Sequence, residues 1–227
     1  MSQFDSSRAA DASGMMITCH EPLQTSLAMP LRINSTHDFN ERGLDAYFTC
    51  PEAIRSLIVL EGPRLPRRIW EPAAGDGAIV RELIASGRQV VASDVQDYGL
   101  ADCRILDYLT APRMVGVNGI VTNPPYRRAM EFAMKAIAEV PYVALLTRLN
   151  FDAEGLNRMS FRQRHPPTRI WKSARRFPMM HRHGYAGKKS TSNVGYWWLV
   201  WQRDAPREFP QDYDWKELLF AQLRLAV

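Results

Sequence analysis

The stretch Trp70-Glu71-Pro72-Ala73-Ala74-Gly75-Asp76-Gly77 decides how the chain is read. A short β-rich run, Arg68-Ile69-Trp70, leads into it. A helical pattern carried by Ile79, Val80, Leu83 and Ile84, and ended by Gly87, leads out. In an open α/β sheet the turn from such a strand to such a helix faces the ligand crevice, at the carboxyl ends of the strands. Gly75 and Gly77 permit a tight turn there and remove side chains that would keep a ligand from the backbone. A GxG pair arises often by chance, so its weight comes from its position and its company.

The company is found downstream. The next strand, residues 89–93, is followed by Asp94, and an acid at that strand end is placed to grip the two hydroxyls of a ribose. The strand at residues 103–106 is followed by Asp107-Tyr108, a pair suited to an adenine edge and face. Residues 119–122 form a further strand that stops abruptly in Asn123-Pro124-Pro125-Tyr126. Two consecutive prolines lock φ and cannot donate hydrogen bonds, so the carbonyls around Asn123 and Pro124 can be left pointing into a cavity. Acceptors fixed in a pocket suit an NH2 group. Standing alone, the same residues read equally as a proline turn that closes a strand.

Further out, Ile54, Leu57, Ile58 and Leu60 suggest a first helix and residues 128–139 another, with strands at 142–146, 168–172 and 193–201. Alternation of this kind builds a parallel sheet covered on both faces by helices, an α/β fold. Residues 212–225 read as one short closing helix. Residues 1–40 show no sustained period and are broken by Pro22 and Pro30, so a flexible N-terminal arm is expected, or one that drapes Met15, Met16, Ile17 and Leu23 over the core. Residues 41–227 then make a single domain.

Composition closes several doors. The 227 residues are 46% apolar, with no run near the ~18 residues of a membrane span, and Asp5 and Asp11 interrupt the N-terminus where a signal peptide would be basic and then apolar. A soluble, cytoplasmic protein with no membrane partner is expected. Cys19, Cys50 and Cys103 are too far apart for a CxxC metal site and odd in number for a disulfide framework, so no metal is expected either.

The formal net charge of +5 hides a segregation. Residues 155–203 hold eleven Lys and Arg and no acid, leaving the rest of the chain at net −6. Within that run, residues 155–192 form a basic segment with Arg175, Arg176, Arg182, Lys188 and Lys189. Lys and Arg that neutralise phosphates release counterions, so such a surface binds nucleic acid in a salt-dependent way. His181 and His183 lack neighbouring acids or cysteines and read as phosphate or solvent contacts. Trp197, Trp198 and Trp201 lie in a strand and read as core.

Residues 71–77, Asp94, Asp107-Tyr108 and Asn123-Pro124-Pro125-Tyr126, in that order and at those spacings, resemble the class I S-adenosylmethionine-dependent methyltransferases, and within them the DNA adenine-N6 type. The segment Asp45-Ala46-Tyr47-Phe48-Thr49-Cys50-Pro51 is similar to the one that precedes the family's first helix and packs on the cofactor's methionine end. The resemblance covers residues 45–203. It implies a Rossmann-like methyltransferase fold, with a mostly parallel seven-stranded sheet and helices on both faces, and S-adenosyl-L-methionine as cofactor.

By the same resemblance Glu71, Ala73, Gly75 and Gly77 line the methionine and ribose of the cofactor. Asp94 takes the ribose hydroxyls, Asp107 the adenine amine with Tyr108 beside it, and Tyr47 and Thr49 close over the amino-acid end. Asn123, Pro124, Pro125 and Tyr126 form the catalytic turn, with Asn123 also beside the cofactor. A loop aromatic that sandwiches a flipped base is expected at Phe177, with Tyr185 behind it. The implied partner is nucleic acid, DNA favoured over RNA. The same turn and basic surface serve RNA adenine-N6 or guanine-N2 methylation, a protein glutamine amide, or a binding module without turnover. With about 24 residues after the final strand, no separate target-recognition domain is expected, and a compact orphan or phage-like enzyme is implied.

Overall fold

Strands and helices alternate along the chain from Phe48 onward. The computed structural model describes residues 48–153, 155–179 and 194–225. The expected arm at residues 1–40 and residues 180–193 lie outside the described residues.

The first helix, α1 (Pro51–Glu61), starts where Cys50 holds extended backbone and Pro occupies the first helical position, where its missing N–H costs nothing. Its Ala53, Ile54 and Leu57 are wholly buried. After it come β1 (Arg68–Glu71), α2 (Ala78–Ala85), β2 (Gln89–Asp94), β3 (Arg104–Ile105), β4 (Gly119–Thr122), α3 (Ala129–Glu139) and β5 (Tyr142–Arg148). The second half holds α4 (Leu149–Ala153), α5 (Leu156–Arg164), β6 (Arg169–Ser173), β7 (Tyr196–Gln202), β8 (Gln211–Tyr213) and α6 (Trp215–Leu225).

The eight strands form one sheet in the order β3-β2-β1-β4-β5-β7-β6-β8. Neighbours from β3 through β5 are parallel, and β7 runs antiparallel to both β5 and β6. The sheet therefore has eight strands where seven are expected. The extra one is β8, which pairs parallel with β6 through Trp171↔Gln211 to Ser173↔Tyr213. The sequence Gln-Asp-Tyr carries no apolar alternation, so residues 212–225 read as a single helix, whereas α6 begins only at Trp215.

Side chains alternate across the strands and fill two cores. Ile69, Val121, Ala144 and Leu146 face α1 and α2, while Trp70, Ile120, Val143 and Leu145 face α3 and the Phe161 of α5. Burial on both faces explains why β4 and β5 read as continuous apolar runs. One carboxylate crosses this architecture. Glu61, the last residue of α1 and wholly buried, accepts from Arg169 Nε (2.7 Å) and Nη2 (2.8 Å), Trp171 Nε1 (2.7 Å) and the Tyr142 hydroxyl (3.1 Å). It ties α1 to β5 and β6. Among the described residues no helix is long and apolar enough to cross a membrane.

Candidate functional site

Four parallel strands finish at one edge of the sheet. Glu71 ends β1, Asp94 ends β2, Thr122 ends β4 with Asn123 next, and Arg148 ends β5. Strand order reverses between β1 and β4, which places the crevice of an open α/β sheet beside Glu71 and Asn123.

The glycine turn needs its glycines for conformation. Gly75 has φ 52° and Gly77 φ 83°, the left-handed region that residues with a Cβ rarely adopt. Space is tight as well: a Cβ on Gly77 would stand 2.5 Å from Leu100 Cδ1 and one on Gly75 3.2 Å from the Phe48 ring, so either neighbour would have to shift. Gly77 then starts α2 as its N-cap. Asp94 braces the turn, with Oδ2 accepting the Gly75 N–H at 2.9 Å and Oδ1 the Gln96 N–H at 3.1 Å. Each carboxylate oxygen has two lone pairs, so acceptor capacity remains for a diol.

Glu71 is wholly buried, and its Oε1 accepts the Ala73 N–H at 3.1 Å. Burial pushes its carboxyl up to about 8, with the Asp94 charge adding to the shift and the Thr122 hydroxyl and Ala73 N–H opposing it. At neutral pH Glu71 holds its proton. A cation in the crevice would favour its release.

At the Asn123-Pro124-Pro125-Tyr126 turn the Asn123 amide is oriented by its own scaffold. Asn123 Nδ2 donates to Thr49 Oγ1 at 3.1 Å, so the donor end faces the segment before α1 and the amide's acceptor is its oxygen. Pro124 is buried and Pro125 half-buried. The Tyr126 and Tyr196 hydroxyls are hydrogen-bonded at 3.0 Å, and the Arg148 guanidinium carbon stands 3.8 Å from the Tyr126 ring centroid. Burial, with the Tyr196 phenol adding, holds the Tyr126 hydroxyl well above its ordinary range, while Arg148 pulls the other way.

Several expectations need correction. Tyr108 does not present its face to the crevice: it is 1% exposed, edge-on to Trp70 with centroids 5.0 Å apart and packed on Phe132 at 4.8 Å. Asp107 Oδ1 accepts the Leu109 N–H at 2.9 Å, and the turn so formed sends Tyr108 inward. Phe177 is likewise core, 0% exposed and stacked on Trp215 with centroids 6.0 Å apart, so it is not an exposed loop aromatic.

The basic run is not one surface. Arg169 is buried against Glu61, and Arg175 pairs with Asp214 at 2.7 Å. Arg176 is exposed. Tyr47, Arg182, Tyr185, Lys188 and Lys189 lie outside the described residues.

Four residues join the site that sequence reasoning does not assign to it. Phe48 covers Gly75 and meets Tyr98 edge-on, with centroids 5.7 Å apart. Arg148 and Tyr196 hold Tyr126. The signal for Arg148 is present in the sequence: a cation closing an otherwise uncharged strand.

No protein-family model and no curated protein matches the chain in sequence. Solved structures match in fold. A modification subunit of a putative type I restriction enzyme from Vibrio vulnificus aligns with TM-score 0.55 at 10% identity, over 80% of this chain and 53% of that one. A putative RNA methyltransferase from Pyrococcus horikoshii aligns at 0.54 and 13% identity, over 70% of this chain and 87% of that one. A putative class I S-adenosylmethionine-dependent methyltransferase from Listeria monocytogenes aligns at 0.54 and 12% identity, over 79% and 70%. The chain spans about half the length of the Vibrio subunit. It has the Rossmann-like α/β fold of the class I methyltransferases.

Proposed function

We propose that the chain is an S-adenosylmethionine-dependent methyltransferase that modifies the exocyclic N6 amine of adenine in DNA. The observation that carries this reading is the Asn123 amide, donor end fixed on Thr49, standing beside the β1–β4 crevice with Pro124 and Pro125 next in the chain. The residues at the crevice fit the cofactor. The turn at Gly75 and Gly77 allows close approach to the backbone, Asp94 has acceptor capacity for a diol, and the buried Glu71 suits a cation.

When bound, S-adenosylmethionine supplies a methyl group already activated on a positive sulfur. The work left to the chain is to prepare the amine. An adenine amine is a poor nucleophile because its lone pair is delocalised into the ring. The Asn123 side-chain oxygen and the Pro124 carbonyl each accept one N–H, which draws the nitrogen toward a tetrahedral geometry and turns its lone pair to the methyl. Fixed dipoles aimed at developing charge are worth about 10²–10³ in rate per contact. Tyr126 stacks on the base, which must leave a duplex to arrive there. The methylated amine then releases a proton to solvent.

DNA is favoured by the type I restriction naming of the Vibrio subunit together with the basic residues 155–192. The test is transfer from tritiated S-adenosylmethionine to unmethylated duplex DNA, tRNA, rRNA and protein offered separately. Label in DNA, recovered as N6-methyladenine on hydrolysis, is the expected result. Label only in RNA, or only in protein, overturns the assignment of substrate.

A further inference from the structure

We infer that Arg148 is a positioning residue that backs the Tyr126 ring, so that a purine docked on Tyr126 forms the outer layer of a guanidinium–phenol–base stack. This rests on the reading of Tyr126 as the platform for the target base.

Arg148 is the last residue of β5, and the six residues before it are all buried. A cation at that point is costly to place unless it meets something specific. What it meets is the face of Tyr126, with the guanidinium carbon 3.8 Å from the ring centroid, well inside the range of a cation–π contact. The planar guanidinium matches a ring where an ammonium would not.

The second holder comes from the adjacent strand of the sheet. In the β5–β7 ladder Arg148 is paired with Tyr196. Cross-strand partners in an antiparallel pair project on the same face, so the two side chains approach Tyr126 together. Tyr196 is 2% exposed and fixes the phenol tip through the 3.0 Å hydroxyl contact. The ring is thus held on its face by one strand and at its tip by the next. Strands position a group more sharply than loops do, and both holders lie in the antiparallel β5–β7 pair rather than in the turn that carries Tyr126.

The consequence is chemical as well as geometric. A ring polarised by a cation on one face is less electron-rich on the other, where a purine with an exocyclic amine brings its own π density. Arg148 would strengthen stacking and fix the base plane, and with it the distance from the amine to Asn123, three residues before Tyr126 in the chain. It makes no contact with the reacting atoms itself. Its influence on the Tyr126 hydroxyl, opposite in sign to that of burial, agrees with close electrostatic coupling of cation and ring.

A double-mutant cycle on the full chain tests this, with single-turnover transfer from tritiated S-adenosylmethionine to unmethylated genomic DNA. Arg148→Met should slow transfer about tenfold while leaving cofactor affinity within about twofold. In a Tyr126→Ala background the same change should alter the rate less than about twofold, because the group it acts through is gone. Arg148→Lys, which keeps charge and loses the plane, should recover only part of the rate. Tyr196→Phe, which removes one hydroxyl and little volume, should give a smaller decrease that also vanishes with Tyr126→Ala.

Multiplicative decreases in the double variants would overturn the inference. So would a salt slope for DNA binding that falls by about one phosphate in Arg148→Met, since that would make Arg148 a phosphate ligand. Absence of label in any nucleic acid with the unaltered protein would defeat the functional reading and this inference with it. Label with multiplicative decreases defeats the inference alone.

Discussion

The two halves of the sheet use charge in opposite ways. In the parallel half, β3 to β5, the acids Glu71 and Asp94 end strands at the crevice and face backbone N–H groups. In the other half, β7, β6 and β8, arginines are met by acids brought from elsewhere: Arg169 by Glu61 of α1, and Arg175 by Asp214 before α6. The parallel half meets its strand-end acids with backbone N–H groups, whereas the other half uses part of its cationic excess to hold itself together. A run without acids in the sequence is therefore not a run without acids in space.

That contrast can be broken first at Glu61. Glu61→Ala takes the shortest carboxylate contacts from Arg169, whose side chain is 3% exposed, leaving it Gln202 at 2.6 Å and Glu208 at 3.8 Å, and should destabilise the fold by about 3–5 kcal/mol in urea unfolding, as removing one partner of a buried pair does. A decrease of under about 1 kcal/mol would place the pair with surface ion pairs instead. In the parallel half the largest effect should be on rate. Asn123→Ala should lower methyl transfer about 10²–10³-fold with cofactor affinity within a few-fold, and Asp94→Ala should do the reverse, weakening the cofactor first. Normal transfer in Asp94→Ala with abolished cofactor binding in Asn123→Ala would mean the two roles are exchanged.

The comparison sharpens further within the basic run. Reversing Arg176 together with Lys188 and Lys189 should weaken DNA binding and flatten its dependence on salt by about one ion for each phosphate no longer neutralised. Reversing Arg169 should instead cost stability and leave no folded protein in which to measure a slope.

The smallest effect expected is a change of slope rather than of level. The Glu71 carboxyl sits at about 8 in the fold and in the ordinary carboxyl range when unfolded, so the native chain binds the extra proton between those limits. Its contribution therefore falls as pH rises through that window and is constant above it. Urea midpoints at pH 5.5 and 8.5 should differ less in Glu71→Gln than in the unaltered chain. An unchanged difference would show that Glu71 does not carry the shift.

Much of the parallel half is legible in the sequence because its signals are local. Residues 119–122 match β4 at both ends, since a glycine opens the strand and Asn-Pro-Pro closes it. The turn at Gly75 and Gly77, with a strand before it and a helix after it, stands at the strand edge where such a pattern puts it. What stays hidden depends on distant partners. Tyr108 packs inward on Trp70 and Phe177 on Trp215, partners distant in the chain, and Arg169 finds Glu61 across 108 positions of chain. The helices α4 and α5 leave no mark in the apolar pattern. The run Leu-Asn-Arg-Met-Ser-Phe-Arg-Gln-Arg buries only Phe161, too little apolar period to be seen.

Helix α1 has a mechanical meaning that neither half shows alone. Thr49, just before its first turn, touches the amide of Asn123, and Glu61, its last residue, grips Arg169 and Trp171 of β6. Eleven helical residues span about 16 Å without a joint. The helix is thus a strut between the Asn123 turn and β6, so neither attachment can shift along the helix axis without displacing the other.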